Sequence, residues 1–361
     1  MTAPATTTPD NYGLRYCTQP LQRPRVFAPD VSAGRVRAIT NSDKKWAAGT
    51  QLTYYCFQTG DAVPTAWQGS AADRAAVDAA FEKWFDLDIA ISFRRVTRPE
   101  DAQVRIGFEP AGGSWSYVGR DVANVRDPLE RTMNFGWPLT TPYGGDTALH
   151  EIGHTLGLEH EHQNPFSGIV WNEAAVRSYF RGGPNFWQDD AINHNILNKI
   201  NPDDVKGTKW DPDSVMEYHF GPGLIQEPAG YREGLTPRGG LSEFDTAWIR
   251  VAYPAAAVAN IPQLQVAMSL KLDLQAGQTR VFSFQPPRTR TYRIGTFGDS
   301  DTVLVLFEVT PSGNVQIGGD DDSGVDRNAL LRMRLSTGRT YQIGIRLFYA
   351  ETASETSLMV W

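Results

Sequence analysis

The eleven residues from His150 to His160, HEIGHTLGLEH, hold this chain to a narrow set of structures. Read as a helix, each residue turns the chain by about 100°, so His150 and His154 stand one turn apart on the same face and both can reach a single ion. Glu151, one step round, is badly placed as a third ligand but well placed to reach a water on that ion's open side, which makes it the candidate general base. Gly157 can take the positive φ that ends a helix, letting the chain turn back and bring in His160 as a third nitrogen. Three neutral nitrogens and a water suit zinc. The alternative, a surface helix with two solvated histidines, accounts for a bare H-E-x-x-H but not for the added glycine and third histidine.

Around this stretch the pattern divides the chain. Residues 1 to about 35 are rich in Thr, Pro and Arg and read as an extended segment rather than a core element. Residues 46–57 read as a turn and a strand, 71–85 as an amphipathic helix, and 89–96 and 102–108 as strands. Gly112–Arg120 has loop composition, and Thr132–Phe135 reads as a short strand. Gly144-Gly145-Asp146 reads as a break before the motif helix, with Asp146 as its N-cap, and Leu149, Ile152 and Leu156 form that helix's buried stripe. Further helices are expected from Asn172 through Tyr179 and from Leu241 to a stop at Pro254. Residues 255–262 have linker composition. From 263 to 361, strand-like runs recur every ten to fifteen residues, the pattern of an all-β sandwich. The segments 272–279 and 331–340 read as two hairpins within it. The expected architecture is therefore an N-terminal extension (1–39), an α+β domain (40–254) with a twisted mixed sheet and the motif helix, a linker, and a β-sandwich domain (263–361).

The motif resembles that of the metzincin metallopeptidases, and Glu161 after the third histidine is the residue type found there in astacins. Ser214-Val-Met216-Glu217-Tyr218 is similar to the astacin Met-turn S-x-M-x-Y. The resemblance implies that Met216 lies beneath the zinc and that Tyr218 is a swinging fifth ligand able to stabilise an oxyanion. Glu217 stands where the family has histidine, a departure that bears on the nearby pocket. Trp46-x-x-Gly49 with Tyr54, Ser114-Trp-Ser-Tyr-Val-Gly-Arg, and Leu241-Ser-x-x-Asp245 with Tyr253 extend the likeness over about residues 40 to 254. In astacins the glutamate after the third ligand pairs with the new N-terminus after processing; without processing Glu161 needs another cation. Animal astacins carry four disulfide-forming cysteines here, and this chain has one, Cys56, as a microbial relative would.

Two N-terminal stretches bear on latency. Cys17-Thr-Gln-Pro20 resembles the C-x-x-P core of the matrixin cysteine switch, without the usual glycine after Cys. Phe27-Ala-Pro-Asp30 resembles the astacin F-x-G-D prosegment, with Pro29 in place of glycine. Cys17 or Asp30 could each occupy the open metal position and displace the water. The other reading is an arm packed on the surface, with Cys17 free or bonded to Cys56. The last hundred residues resemble the pre-peptidase C-terminal domain often attached to secreted microbial peptidases, on Asp301–Leu306, Gly319–Gly324 and the Leu335–Tyr341 segment. Asp320, Asp321, Asp322 and Asp326 there either bind Ca2+ or form an acidic, solvated turn.

The expected function is a zinc-dependent endopeptidase acting on protein or peptide substrates, with His150, His154 and His160 as ligands, Glu151 as base and Tyr218 as oxyanion stabiliser. The competing reading is a non-catalytic binding or adhesion protein acting through the sandwich. A formal charge of −7 leaves no basic footprint for nucleic acid, and no apolar run approaches the ~18 residues of a membrane span. A monomer is expected. No signal peptide is visible in MTAPATTTPDNYG, so the expectation of a secreted protein rests on the family resemblance.

Overall fold

Strand β1 (Thr50–Cys56) runs through the middle of the first sheet, and all seven of its residues are buried. Leu52, Tyr54 and Cys56 share a core with the helices, and on the other face Tyr55 packs with Phe57, Val96 and Ala102. β1 pairs in parallel with β2 (Ile91–Arg95) on one side and β3 (Val104–Gly107) on the other. Beyond β3 come the short parallel β5 (Met133–Asn134) and, at the edge, the antiparallel β4 (Trp115–Ser116). Helix α1 (Ala71–Phe85), capped by the Ser70 side chain, covers one face with Val77, Ala80, Phe81 and Trp84. The computed structural model describes residues 15–20, 44–46, 49–200, 202, 209–254, 261–275, 278–310, 313–321, 323–325, 328–348 and 354–361. Asp30, most of the expected linker, Asp322 and Asp326 lie outside them.

The motif helix α2 spans Pro142–Thr155, not the residues after Gly144-Gly145-Asp146. Thr141 is its N-cap, accepting from the Gly144 N–H, and Pro142 fills N1, where a missing N–H costs nothing. The glycines read as a breaker lie inside the first turns of the helix; at Gly144 a Cβ would stand 2.1 Å from the Pro138 carbonyl oxygen, whereas Gly145 has open space. Asp146 instead accepts from the Gly240 N–H. α2 buries Ala148, Leu149 and Ile152, with Leu156 just beyond its end. Helices α3 (Glu173–Arg181, capped by Asn172) and α4 (Glu243–Ala252, with a Ser242–Asp245 capping box) match the expected segments. The irregular region after His160 gathers α3, the short turn Asp189–Ile192 and the two-stranded sheet of β6 (Val170–Trp171) and β7 (Ile225–Glu227) around an aromatic cluster.

The C-terminal part is a sandwich of two four-stranded antiparallel sheets. One holds β13 (Leu330–Leu335), β10 (Arg290–Phe297), β15 (Ser354–Val360) and β8 (Leu270–Leu274); the other holds β12 (Gly313–Asp320), β11 (Thr302–Thr310), β14 (Tyr341–Leu347) and β9 (Thr279–Phe284), in those orders. Alternate residues such as Phe282, Phe284, Ile294, Leu304, Leu306, Ile343 and Ile345 face inward. The segments 272–279 and 331–340 are not hairpins: each carries the chain from one sheet to the other. No helix among the described residues is long and apolar enough to cross a membrane.

Candidate metal site and its cleft

α2 ends in a Schellman motif. Gly157, at φ 92°, lets its N–H donate to His154 O and the Leu158 N–H donate to Gly153 O, at 2.8 and 3.0 Å. The remaining carbonyls are met from both ends of this part of the chain: the Trp46 indole donates to Thr155 O and the Tyr253 hydroxyl to Leu156 O, each at 2.7 Å. The reversal brings His160 beside His154, with their Nε2 atoms 3.2 Å apart.

Each imidazole is oriented through its other nitrogen. Nδ1 of His150 meets Val215 O at 2.7 Å, Nδ1 of His154 meets Leu158 O at 2.7 Å, and Nδ1 of His160 meets the Gln163 side-chain oxygen at 3.3 Å. Carbonyl partners fix the proton on Nδ1 and turn the Nε2 lone pairs inward, as metal-binding histidines require. Burial, the largest cause, drives all three below the ordinary imidazole range, His154 to about 4, so the neutral, ligating form is favoured.

The fourth group comes from the N-terminus. Cys17 Sγ is 3.6 Å from His154 Nε2, and the donor atoms of Cys17, His150, His154 and His160 all lie within 4.8 Å of one another. Tetrahedral zinc holds N and S ligands about 3.3–3.8 Å apart, so this set fits a thiophilic cation. His150 Nε2, buried and without a hydrogen-bond partner in the protein, fits it too. The surface-arm reading of residues 15–20 fails here: Tyr16 and Cys17 are 4% and 5% exposed. Periodicity gives no sign that these six residues enter a cleft; the Cys17-x-x-Pro20 spacing is the only signal for it. Cys56 is a separate free thiol buried in β1.

Glu151 is fully buried, with one carboxylate oxygen unpartnered in the protein and the other accepting from the Cys17 thiol at 3.5 Å. Burial raises its carboxyl to about 8, against a lowering by the thiol. The Tyr218 hydroxyl donates to Cys17 O at 2.7 Å and lies 2.8 Å from His160 Nε2. Burial holds this phenol well above its ordinary value, so it stays a donor.

Met216 packs directly under the motif helix, where a Cβ at Gly153 would stand 2.5 Å from its sulfur. Its turn is tied down by α4: Asp245 accepts from the Ser214 hydroxyl at 2.6 Å and from the Val215 N–H at 2.8 Å. Ser242 and Asp245 thus cap a helix and anchor the Met216 turn at once. Glu217 faces His162, which sequence spacing leaves outside the ligand set and which is buried with its Nδ1 3.5 Å from that carboxylate; Glu217 also accepts from the Trp210 indole. Glu161 has no cation partner among the described residues and accepts instead from the Asp211 N–H and the Asn164 amide. In the sandwich, Asp320 accepts from the Ser323 hydroxyl and from the N–H groups of Ser323 and Leu330. Both carboxylate oxygens of Asp320 are thus engaged by the turn itself.

No protein-family profile matches this chain. The solved structure of myroilysin aligns over 59% of this chain and 97% of its own, at 27% identity and a TM-score of 0.52. The first part of this chain is metzincin-like. Serralysin from Photorhabdus sp. (strain Az29) is 26% identical over 155 residues, 37% of this chain and 32% of its own length. The metzincin-like chain therefore matches only about a third of that curated relative. The pre-peptidase C-terminal domain of a Bacillus anthracis collagenase aligns over 28% of this chain and 95% of its own, at 13% identity and a TM-score of 0.24. The sandwich itself rests on the strand pairing described above.

Proposed function

We propose that this protein is a zinc-dependent endopeptidase of astacin-like type, synthesised with its own thiol over the metal. The observation that carries this reading is the convergence of three inward-facing imidazoles on one buried point beside Glu151. His150, His154 and His160 would hold the ion, which when bound supplies a Lewis acid that acidifies water and polarises a peptide carbonyl.

The residues of the chain do the remainder. Glu151, buried and with one oxygen unpartnered in the protein, takes the proton of the attacking water and passes it to the leaving amine. Tyr218 presents its hydroxyl to the developing oxyanion. Both groups are engaged by the arm in the form described here: Glu151 accepts from the Cys17 thiol and Tyr218 donates to the Cys17 carbonyl. Cys17 thus engages the base through its thiol and the oxyanion donor through its carbonyl, and as a thiolate it would take the ligand position, which supports latency through Cys17. Asp30 has no comparable support, since it lies outside the described residues. The same reading takes residues 1–39 as a prosegment, 40–254 as the peptidase domain and 263–361 as an appended sandwich, with the two buried clusters running from Trp46 to Tyr253 and from Leu264 to Val360. It also takes the protein as secreted, monomeric and active on polypeptides.

The deciding experiment is a casein digest by Cys17→Ala and by Cys17→Ala/Glu151→Gln, with zinc content measured in both. Loss of the base should lower the rate by about 10²–10⁴-fold at equal zinc content. Equal cleavage by both would sink the mechanism.

A further inference from the structure

Blocking a metal requires a cysteine; it does not require the tyrosine ahead of it. The Tyr16 ring is buried against Phe180 at 4.9 Å and Tyr218 at 5.3 Å between centroids, with Tyr179, Trp187 and Phe220 at 6.2 to 6.4 Å. Its hydroxyl lies 3.3 Å from that of Tyr179. The walls come from α3, the turn after it and the segment carrying Tyr218, and beneath them Val176, Ile192 and Ile196 are fully buried. The hole is therefore part of the scaffold's own core.

The backbone of the arm is held through groups that any peptide has. The Thr18 N–H donates to Ser114 O, next to edge strand β4, at 2.9 Å. Carbonyl oxygens of Cys17 and Arg15 accept from the Tyr218 and Tyr143 hydroxyls. Such bonds position a chain without choosing its sequence, as main-chain pairing at a sheet edge does. The aromatic hole is where a side chain is chosen, one residue from the atom that sits among the metal-binding nitrogens.

We infer that the hole filled by Tyr16 is the principal specificity subsite of the cleft, and that the peptides cleaved carry tyrosine, or less favourably phenylalanine, next to the scissile bond. The arm is on this view a tethered substrate mimic whose side chain reads the same pocket. The inference rests on the proposed peptidase reading for the word cleaved, but the pocket can be tested by binding alone. Burying a ring of this size is worth about ten- to a hundredfold in affinity, and the Tyr179 hydroxyl adds the preference for tyrosine.

The test uses full-length protein carrying Tyr16→Ala and Cys17→Ala, which empties the hole without truncating the chain. Two hexapeptides, Arg-Tyr-Cys-Thr-Gln-Pro and its alanine counterpart at the second position, are titrated calorimetrically, and a peptide library is digested in parallel. The tyrosyl peptide should bind at least about tenfold more tightly, and cleavage sites should be enriched in Tyr and Phe at one fixed position beside the scissile bond. Tyr179→Phe in the same background should reduce the Tyr-over-Phe ratio. Equal affinities for the two hexapeptides, or cleavage with no aromatic enrichment, would overturn the inference. Selective binding with no hydrolysis would uphold the pocket and defeat the peptidase reading instead. Should the double variant not fold, Cys17→Ala alone gives the same comparison, with Tyr16 as an internal competitor that weakens both peptides equally.

Discussion

Gly153 is one of the two variable positions inside H-E-x-x-H, yet its side of the helix is where the Met216 sulfur packs. A methyl group there meets sulfur at 2.5 Å, so Gly153→Ala must push the Met216 turn away, and a loss of about 1–3 kcal/mol is expected from overpacking; urea unfolding measures it. Tyr218 makes a different prediction. In a Cys17→Ala background, Tyr218→Phe keeps the ring and removes one donor, so kcat should fall by about 10²–10³-fold with zinc content unchanged. An unchanged kcat would remove Tyr218 from the chemistry. Cys17→Ala itself should raise peptidase activity at least about tenfold, because a ligand tethered in the same chain acts at an effective concentration of order mM; initial rates on casein decide it.

Among the elements, the ends of α2 do most to shape the site, and they were not equally legible. Its C-terminal end could be read from Gly157, because a positive φ is demanded by the reversal and glycine supplies it cheaply. Its N-terminal end could not: two glycines followed by Asp look like a stop, and only the approach of Pro138 O explains why Gly144 has no side chain inside the first turn. The edge strand β4 was hidden in a loop-like composition for a related reason, since two residues give no alternation to detect. Ser242 and Asp245 announce a helix start, but nothing local says that the same carboxylate holds the Ser214–Met216 turn. Asp245→Ala should therefore cost more than a cap alone, about 2–4 kcal/mol for a buried carboxylate with several partners, and should weaken zinc retention through His150, whose Nδ1 rests on Val215 O. Competition with a chelator would report the second effect. The two sandwich turns misread as hairpins teach the same point, because a turn fixes a reversal of direction but not whether the flanking strands pair with each other or with opposite sheets.

On the scale of the whole molecule, the apolar residues around the candidate metal site, such as Leu149, Ile152 and Met216, belong to one buried cluster and those of the sandwich to another. A ligand bound only by the native form stabilises whatever it is part of, by about 3–4 kcal/mol at a hundred- to thousandfold excess over its dissociation constant. Stripping zinc should therefore lower the calorimetric transition of the first part by about 5–15 °C and leave that of the sandwich in place. A single transition moving as one would show instead that the sandwich leans on the metal-binding part.

The clamp on the last turn of α2 bears on how such a chain is made. Trp46 and Tyr253 are separated by 207 residues, joined through the Tyr253 hydroxyl, and both bond the carbonyls where the helix gives way to Gly157. A nascent chain that has emerged only as far as His160 has every histidine of the centre but lacks the Met216 turn beneath them and one jaw of that clamp. Contacts of such long sequence separation form late. Assembly of the centre on the ribosome should then wait for Tyr253 to emerge, so chains arrested before that residue should leave Cys17 open to alkylation, while chains arrested well beyond it should protect it.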